Sequence, residues 1–434
     1  MESTSAAAGL AVIELARQGR FEEITERFAP QLRPMVPAEA LRAAWEAELT
    51  RNGQVASMGG DVVTEPAGPG AVVVKVPVTF EHGTLTVAVG LAGEEGWITG
   101  IQLLPASALE PAAPWEPPGY ADVGAFTEQD VTVGDGPLAV AGTLSLPREG
   151  GAVPGVVLLA GSGPQDRDET IGRNKPLKDL AWGLASAGVA VLRFDKVTFA
   201  HPEQVAGNRG FTLADEYVPS AVAAIGVLAG HAGRVFVAGH SLGGTVAPRV
   251  AAAALSSEAG PSVSGLVILA GGAQPMHWAA ARQFRYLASL DPSNAGASSP
   301  ALDVIESQAR AVDDPGLSET TPDSELPFGV PAAYWLDVRG YDPARTAAEL
   351  SLPMLIVQGG RDYQVTVADD LARWRDALDG RPDVTFRVYQ ADNHLFFPGS
   401  GPSTPAEYEP AQHVDAGVVA EIAAWVRSAF PASG

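Results

Sequence analysis

The sequence predicts two domains in series: a small α+β domain, then a larger α/β domain whose mostly parallel sheet carries helices on both faces. Three observations lead there. Residues 8 to 50 carry apolar residues at helical spacing, and residues 71 to 104 change to the alternating period of strands. A proline-rich stretch, "PASALEPAAPWEPPGY" from Pro105 to Tyr120, follows. Beyond it, short apolar runs alternate with helical segments, the signature of a parallel sheet with crossover helices.

In the first domain, "LAVIELARQGRFEEITERF" and "PAEALRAAWEAELTRNG" read as helices, the second ending at Asn52-Gly53. "AVVVKVPVTF", "GTLTVAVGLA" and "GWITGIQLLP" read as successive strands joined by glycine-containing turns. The proline-rich stretch is expected to be an extended, semi-rigid linker, with the domain boundary near residue 118. The expected organisation is therefore residues 1–118 for the first domain with its linker and 119–434 for the second. The sheet of the first domain should present a broad face, which either packs near the later insertion or mediates a homodimer.

In the second domain "DVTVGDGPLAVAGTLSLP" reads as a leading hairpin that adds antiparallel strands at one edge. Strands are expected at "VVLLAG" (156–161), "VAVLRFD" (189–195), "VFVAG" (235–239), "LVILAGG" (266–272), "MLIVQGG" (354–360) and "VTFRVYQ" (384–390). "LKDLAWGLASAG" and "LADEYVPSAVAAIGVLAGHAG" supply helices between them. One stretch breaks the rhythm. The segment from about 273 to 350, which includes the polar run "DPSNAGASSP", is longer than an ordinary crossover. Open α/β sheets bind ligands at the carboxyl ends of their strands, so this insertion is expected to be a helical lid.

Composition narrows the function. With 46% hydrophobic residues over 434 positions, the chain can bury a large core. It has no cysteine, which excludes disulfides, thiolate metal sites and a cysteine nucleophile. A formal charge of −23, with only four lysines among 28 basic residues and no basic run, argues against nucleic acid. No apolar run reaches the length of a membrane span, and "MESTSAAAGLAVIELARQGRFEE" lacks a basic leader before an apolar core, so no membrane association and a cytoplasmic location are expected.

The chemistry centres on "VFVAGHSLGGTVAP". Ser241 lies in Gly-x-Ser-x-Gly between a predicted strand and a predicted helix, the context in which a sharp turn exposes a nucleophilic serine. The plain alternative is an ordinary strand–helix turn. An acid and a histidine at the ends of later strands would complete a triad, and Asp362 and His394 stand after the last two predicted strands. Asp392 rivals Asp362, and His413 rivals His394 but opens the final helix. Oxyanion donors are expected from the backbone N–H of Leu242 and from the loop "GSGPQDRDE", with Ser162 first and Gly163 next. His240, Tyr334, Trp335 and Tyr341 are candidates for a substrate pocket, with simple core packing as the alternative. Asp166, Asp168 and Glu169 form an acidic cluster better suited to pairing with Arg167, Arg173 and Lys175 than to a metal, and no metal or cofactor is expected.

The blocks "LAGSGPQDRDETIGRNKPLKDLAWGLASAGVAVLRFDK", "GHSLGG", "YWLDVRGYDP", "PMLIVQGGRDYQV" and "NHLFFPG" together resemble the α/β-hydrolase family of bacterial serine carboxylesterases that carry an N-terminal domain of unknown function. The resemblance implies an α/β-hydrolase fold, a Ser241–His394–Asp362 triad, and a nuclear-transport-factor-2-like fold for residues 1 to about 110. Two departures stand out: Ala160-Gly161 where relatives have His-Gly, and Phe194-Asp195-Lys196-Val197 where they read Tyr-Asp-Lys-Arg. The expected activity is cleavage of esters of small to medium apolar acids through an acyl-enzyme. The same site could instead serve acyl transfer, lactone formation or acyloxy elimination, and a silent binding module is the alternative outside catalysis.

Overall fold

A computed structural model describes residues 2–29, 32–33, 36–68, 70–93, 95–109, 114–148, 152–256, 262–290 and 300–428. The chain divides into two compact units. One comprises residues 1–113 with 298–314 and 320–330; the other comprises 114–297, 315–319 and 331–434. The run "DPSNAGASSP" lies outside the described residues except for Pro300.

The first unit opens with helices α1 (Glu2–Arg17), α2 (Phe21–Glu26) and α3 (Ala38–Asn52). The single helix expected through residue 28 is broken at Gly19, whose φ of 72° is left-handed and ends the helical path. Five strands follow: β1 (Val55–Met58), β2 (Val63–Gly68), β3 (Ala71–Phe80), β4 (Gly83–Ala92) and β5 (Trp97–Pro105). They form an antiparallel sheet in the order β1-β3-β4-β5, with β2 also paired to β3. Along β3, Val74, Val76, Val78 and Phe80 point to one face and are buried with Ile13, Phe21, Ile24, Phe28 and Trp45 from the helical segment. Lys75 points the other way and pairs with Glu65 at 2.6 Å. Period-2 alternation against a helical layer is what makes this a self-contained core.

The second unit begins with the hairpin β6 (Phe126–Val133) and β7 (Val140–Pro147), paired antiparallel. Then come β8 (Pro154–Leu159), α4 (Pro176–Ser186), β9 (Ala190–Phe194), short helices α5 (Val197–Ala200) and α6 (Pro202–Ala206), α7 (Leu213–Ala229), β10 (Arg234–His240), α8 (Leu242–Ser256) and β11 (Leu266–Leu269). The long insertion carries α9 (Ala279–Ser289), α10 (Pro300–Asp313), α11 (Ala332–Gly340) and α12 (Pro343–Glu349). It is followed by β12 (Met354–Gly359), α13 (Ala372–Ala377), β13 (Val384–Tyr389) and α14 (Ala416–Ser428). Of the insertion, α10 groups with the first unit, whereas α9, α11 and α12 group with the second.

The eight strands run in the order β13-β12-β11-β10-β8-β9-β7-β6. β8 through β13 pair in parallel, and only the leading hairpin is antiparallel. Val156 and Leu158 of β8 pack with α4 and α14, while Val157 and Leu159 are equally buried on the opposite side. Burial on both faces explains the continuous apolar runs. The direction of winding reverses at β8, since β9 lies on one side of it and β10 on the other. That reversal opens a crevice at the carboxyl ends of β8 and β10. The loop opening at Ala160 and the Gly-His-Ser turn both emerge there.

Candidate active site

Ser241 sits between the last residue of β10 and the first of α8, with φ of 53°. A non-glycine residue there is strained, and the strain is held by close packing. A Cβ at Gly239 would run into the backbone of Gly243, and a Cβ at Gly243 would run into the carbonyls of Leu159 and Ala160. Only glycine allows strand, turn and helix to approach this closely. The Ser241 N–H donates to Leu269 O at 2.8 Å, tying the turn to the neighbouring strand.

The loops after β12 and β13 bring two side chains to this serine. His394 Nε2 lies 3.0 Å from Ser241 Oγ, and its Nδ1 lies 2.7 Å from Asp362 Oδ2. A carboxylate at Nδ1 fixes the proton there and leaves Nε2 to accept from the serine hydroxyl. Asp362 is itself tightly held. Its Oδ1 accepts from the amides of Gln364 (2.8 Å) and Val365 (3.0 Å), and its Oδ2 also accepts from Gln358 Nε2 at 2.9 Å. The His394 loop is shaped by Asn393, whose Oδ1 accepts from the amides of Leu395 and Phe397. The rivals lie elsewhere: His413 Nδ1 faces Asp179 at 3.1 Å, and Asp392 Oδ2 is buried without a partner.

Leu242 is the first residue of α8, so its N–H has no intrahelical acceptor. Among the described residues, no acceptor meets the amides of Ser162 or Gly163 either. The Gly161 amide is different, since it donates to Glu169 Oε1 at 2.7 Å.

His240, next to the serine, is buried and engaged on both nitrogens: Nδ1 faces Glu169 at 2.9 Å and Nε2 lies 2.9 Å from the carbonyl of His394. Burial pushes its pKa down, but the Glu169 carboxylate and the His394 carbonyl outweigh this and leave it above the ordinary value. Tyr334 donates its hydroxyl to Glu216 Oε2 at 2.8 Å, and Tyr341 donates to Thr245 O at 2.8 Å with Arg249 over its ring. Trp335 is fully buried and its Nε1 lacks a partner.

No local sequence pattern marks Gln358 or Lys196, or marks Glu169 as the partner of His240. Lys196 is buried, with Nζ 2.8 Å from Gly161 O, from the Tyr217 hydroxyl and from Glu216 Oε1. Burial lowers its pKa and Glu216 opposes that shift. The only sequence signal for Glu169 is its place in the block after β8, where it reads as one of three acids. Asp166 caps Thr170 and Asp168 pairs with Arg193 and Lys175. Among the described residues, no group of three histidine or acidic side chains is arranged to hold a metal.

A mostly parallel eight-stranded sheet, a strained serine between strand and helix, and a histidine and an acid after the last strands define an α/β-hydrolase-fold protein. No family model matches the chain. Esterase EstD of Thermotoga maritima is 38% identical over 350 residues, spanning 80% of this chain and 77% of its own length. Among solved structures, an esterase from Pyrococcus furiosus aligns over 73% of this chain and 99% of its own, at 16% identity and TM-score 0.43. Est1E from Butyrivibrio proteoclasticus aligns over 69% and 98%, at 15% identity and TM-score 0.43. The chain belongs to the α/β-hydrolase esterase family that includes Esterase EstD.

Proposed function

We propose that this chain is a serine carboxylesterase that cleaves esters of small to medium apolar acids through an acyl-enzyme. The observation that carries the reading is the unbroken relay from Asp362 through His394 to Ser241 at 2.7 and 3.0 Å, set on a strained turn. Ser241 Oγ attacks the ester carbonyl while His394 Nε2 takes its proton. The carbonyl oxygen becomes an anion that accepts from the Leu242 and Ser162 amides, with Gly163 as the neighbouring donor. His394 then returns the proton to the departing alcohol, and Asp362 stabilises the imidazolium throughout. Water, deprotonated by the same histidine, releases the acid. The net charge of −23 disfavours strongly anionic acyl donors.

The test is hydrolysis of nitrophenyl esters of increasing acyl length by wild type and Ser241→Ala. Wild type should release free acid, fastest on short to medium chains, and the variant should lose on the order of 10⁴- to 10⁶-fold in kcat. An acyl-acceptor adduct or an alkene as main product, or activity surviving in Ser241→Ala, would overturn the reading.

A further inference from the structure

The Gly161–Ser162 peptide is held from the protein interior. Its carbonyl oxygen accepts from both Lys196 Nζ and the Tyr217 hydroxyl, each at 2.8 Å. A trans peptide directs its N–H opposite to its C=O, so anchoring Gly161 O in the interior turns the Ser162 N–H outward. The preceding peptide cannot take over this task, because the Gly161 N–H is already bonded to Glu169. A Cβ at residue 161 would meet Glu169 Oε1 at 2.7 Å, so the loop runs directly over that carboxylate.

Lys196 is an expensive residue to bury. A hydrophobic side chain of its volume would fill the space at no electrostatic cost, whereas this ammonium needs an acceptor for each of its three hydrogens. It has them: Gly161 O, the Tyr217 oxygen and Glu216 Oε1. Glu216 is braced in turn by the Tyr334 hydroxyl at 2.8 Å. A cation on the carbonyl also draws charge from the peptide, which makes its N–H a stronger donor.

We infer that Lys196, acting with Tyr217, is a positioning residue that aims and polarises the Ser162 amide as an oxyanion donor. The inference rests on the acyl-enzyme reading above. Both side chains are buried beneath the loop. Both act on the transition state through one peptide group, so their loss should lower kcat and leave KM nearly unchanged.

Two variants test this. Lys196→Met combined with Glu216→Gln removes the ion pair without stranding a buried charge, and Tyr217→Phe deletes one hydroxyl. The double variant should lose about 10²-fold in kcat, the scale of one oxyanion donor, and Tyr217→Phe about tenfold. KM should stay within about threefold. Affinity for a trifluoromethyl ketone, which forms the tetrahedral adduct, should fall in step with kcat/KM. Unchanged kcat, or a loss confined to KM, in either folded variant overturns the inference. If the double variant fails to give a cooperative melt, Tyr217→Phe decides alone. Fluorophosphonate labelling of wild-type Ser241 separates the two levels, since its absence would sink the acyl-enzyme reading itself.

Discussion

Asp362 Oδ2 lies 2.7 Å from His394 Nδ1 although 31 residues and a whole strand separate them in the chain, and two backbone amides hold the other carboxylate oxygen. The loop after β12 thus presents an acid whose direction is set before any substrate arrives. Such preorganisation is what turns a histidine into a base of defined tautomer.

Asp362→Asn separates charge and orientation from mere bulk. The amide can donate to Nδ1, which flips the proton to Nε2 and blocks that nitrogen as a base. The expected result is a fall of about 10⁴-fold in kcat with a normal melting transition, the effect of replacing the acid by its amide in a serine triad. Steady-state kinetics on a nitrophenyl ester checks it. A loss of less than tenfold would mean that the acid is not part of the relay.

Asp392, two residues before His394, predicts a pH dependence of stability. Burial and the nearby Asp415 push its pKa up to about 7, with Arg361 opposing. The unfolded chain titrates this group near its ordinary value of about 3.9. The folded state therefore binds more protons between these values, and its contribution is fully present below about pH 4 and is lost as pH rises through about 7. Asp392→Asn removes that loss. Denaturant melts should show the variant gaining on wild type by roughly 1–2 kcal/mol between pH 5 and pH 8. A constant difference across that range would contradict the assignment.

What was legible in the sequence follows from period and punctuation. β3 coincides with the window read from alternation, because one face is buried and the pattern cannot slip; β4 also coincides with its window, although both of its faces are buried from Thr86 to Val89. The buried strands of the parallel sheet were equally plain, since both faces demand apolar residues. β1 and β2 leave no such mark: "VASM" is half exposed and "VTEPAG" contains a proline, so neither carries a period strong enough to read. The break at Gly19 was hidden because the apolar spacing continues across it. At the site, Ser241, Asp362 and His394 announce themselves by standing at strand ends. Glu169, Gln358 and Lys196 act through contacts with groups far away in sequence, and no local pattern marks such a partner.

Covalent labelling distinguishes a nucleophilic Ser241 from an ordinary strand–helix turn. Wild type and Ser241→Ala would be treated with a fluorophosphonate, weighed intact and mapped by peptide mass spectrometry. One adduct per chain, on Ser241, is expected in wild type, and none in the variant. An unlabelled wild type, or an adduct that persists in Ser241→Ala at another residue, would contradict it.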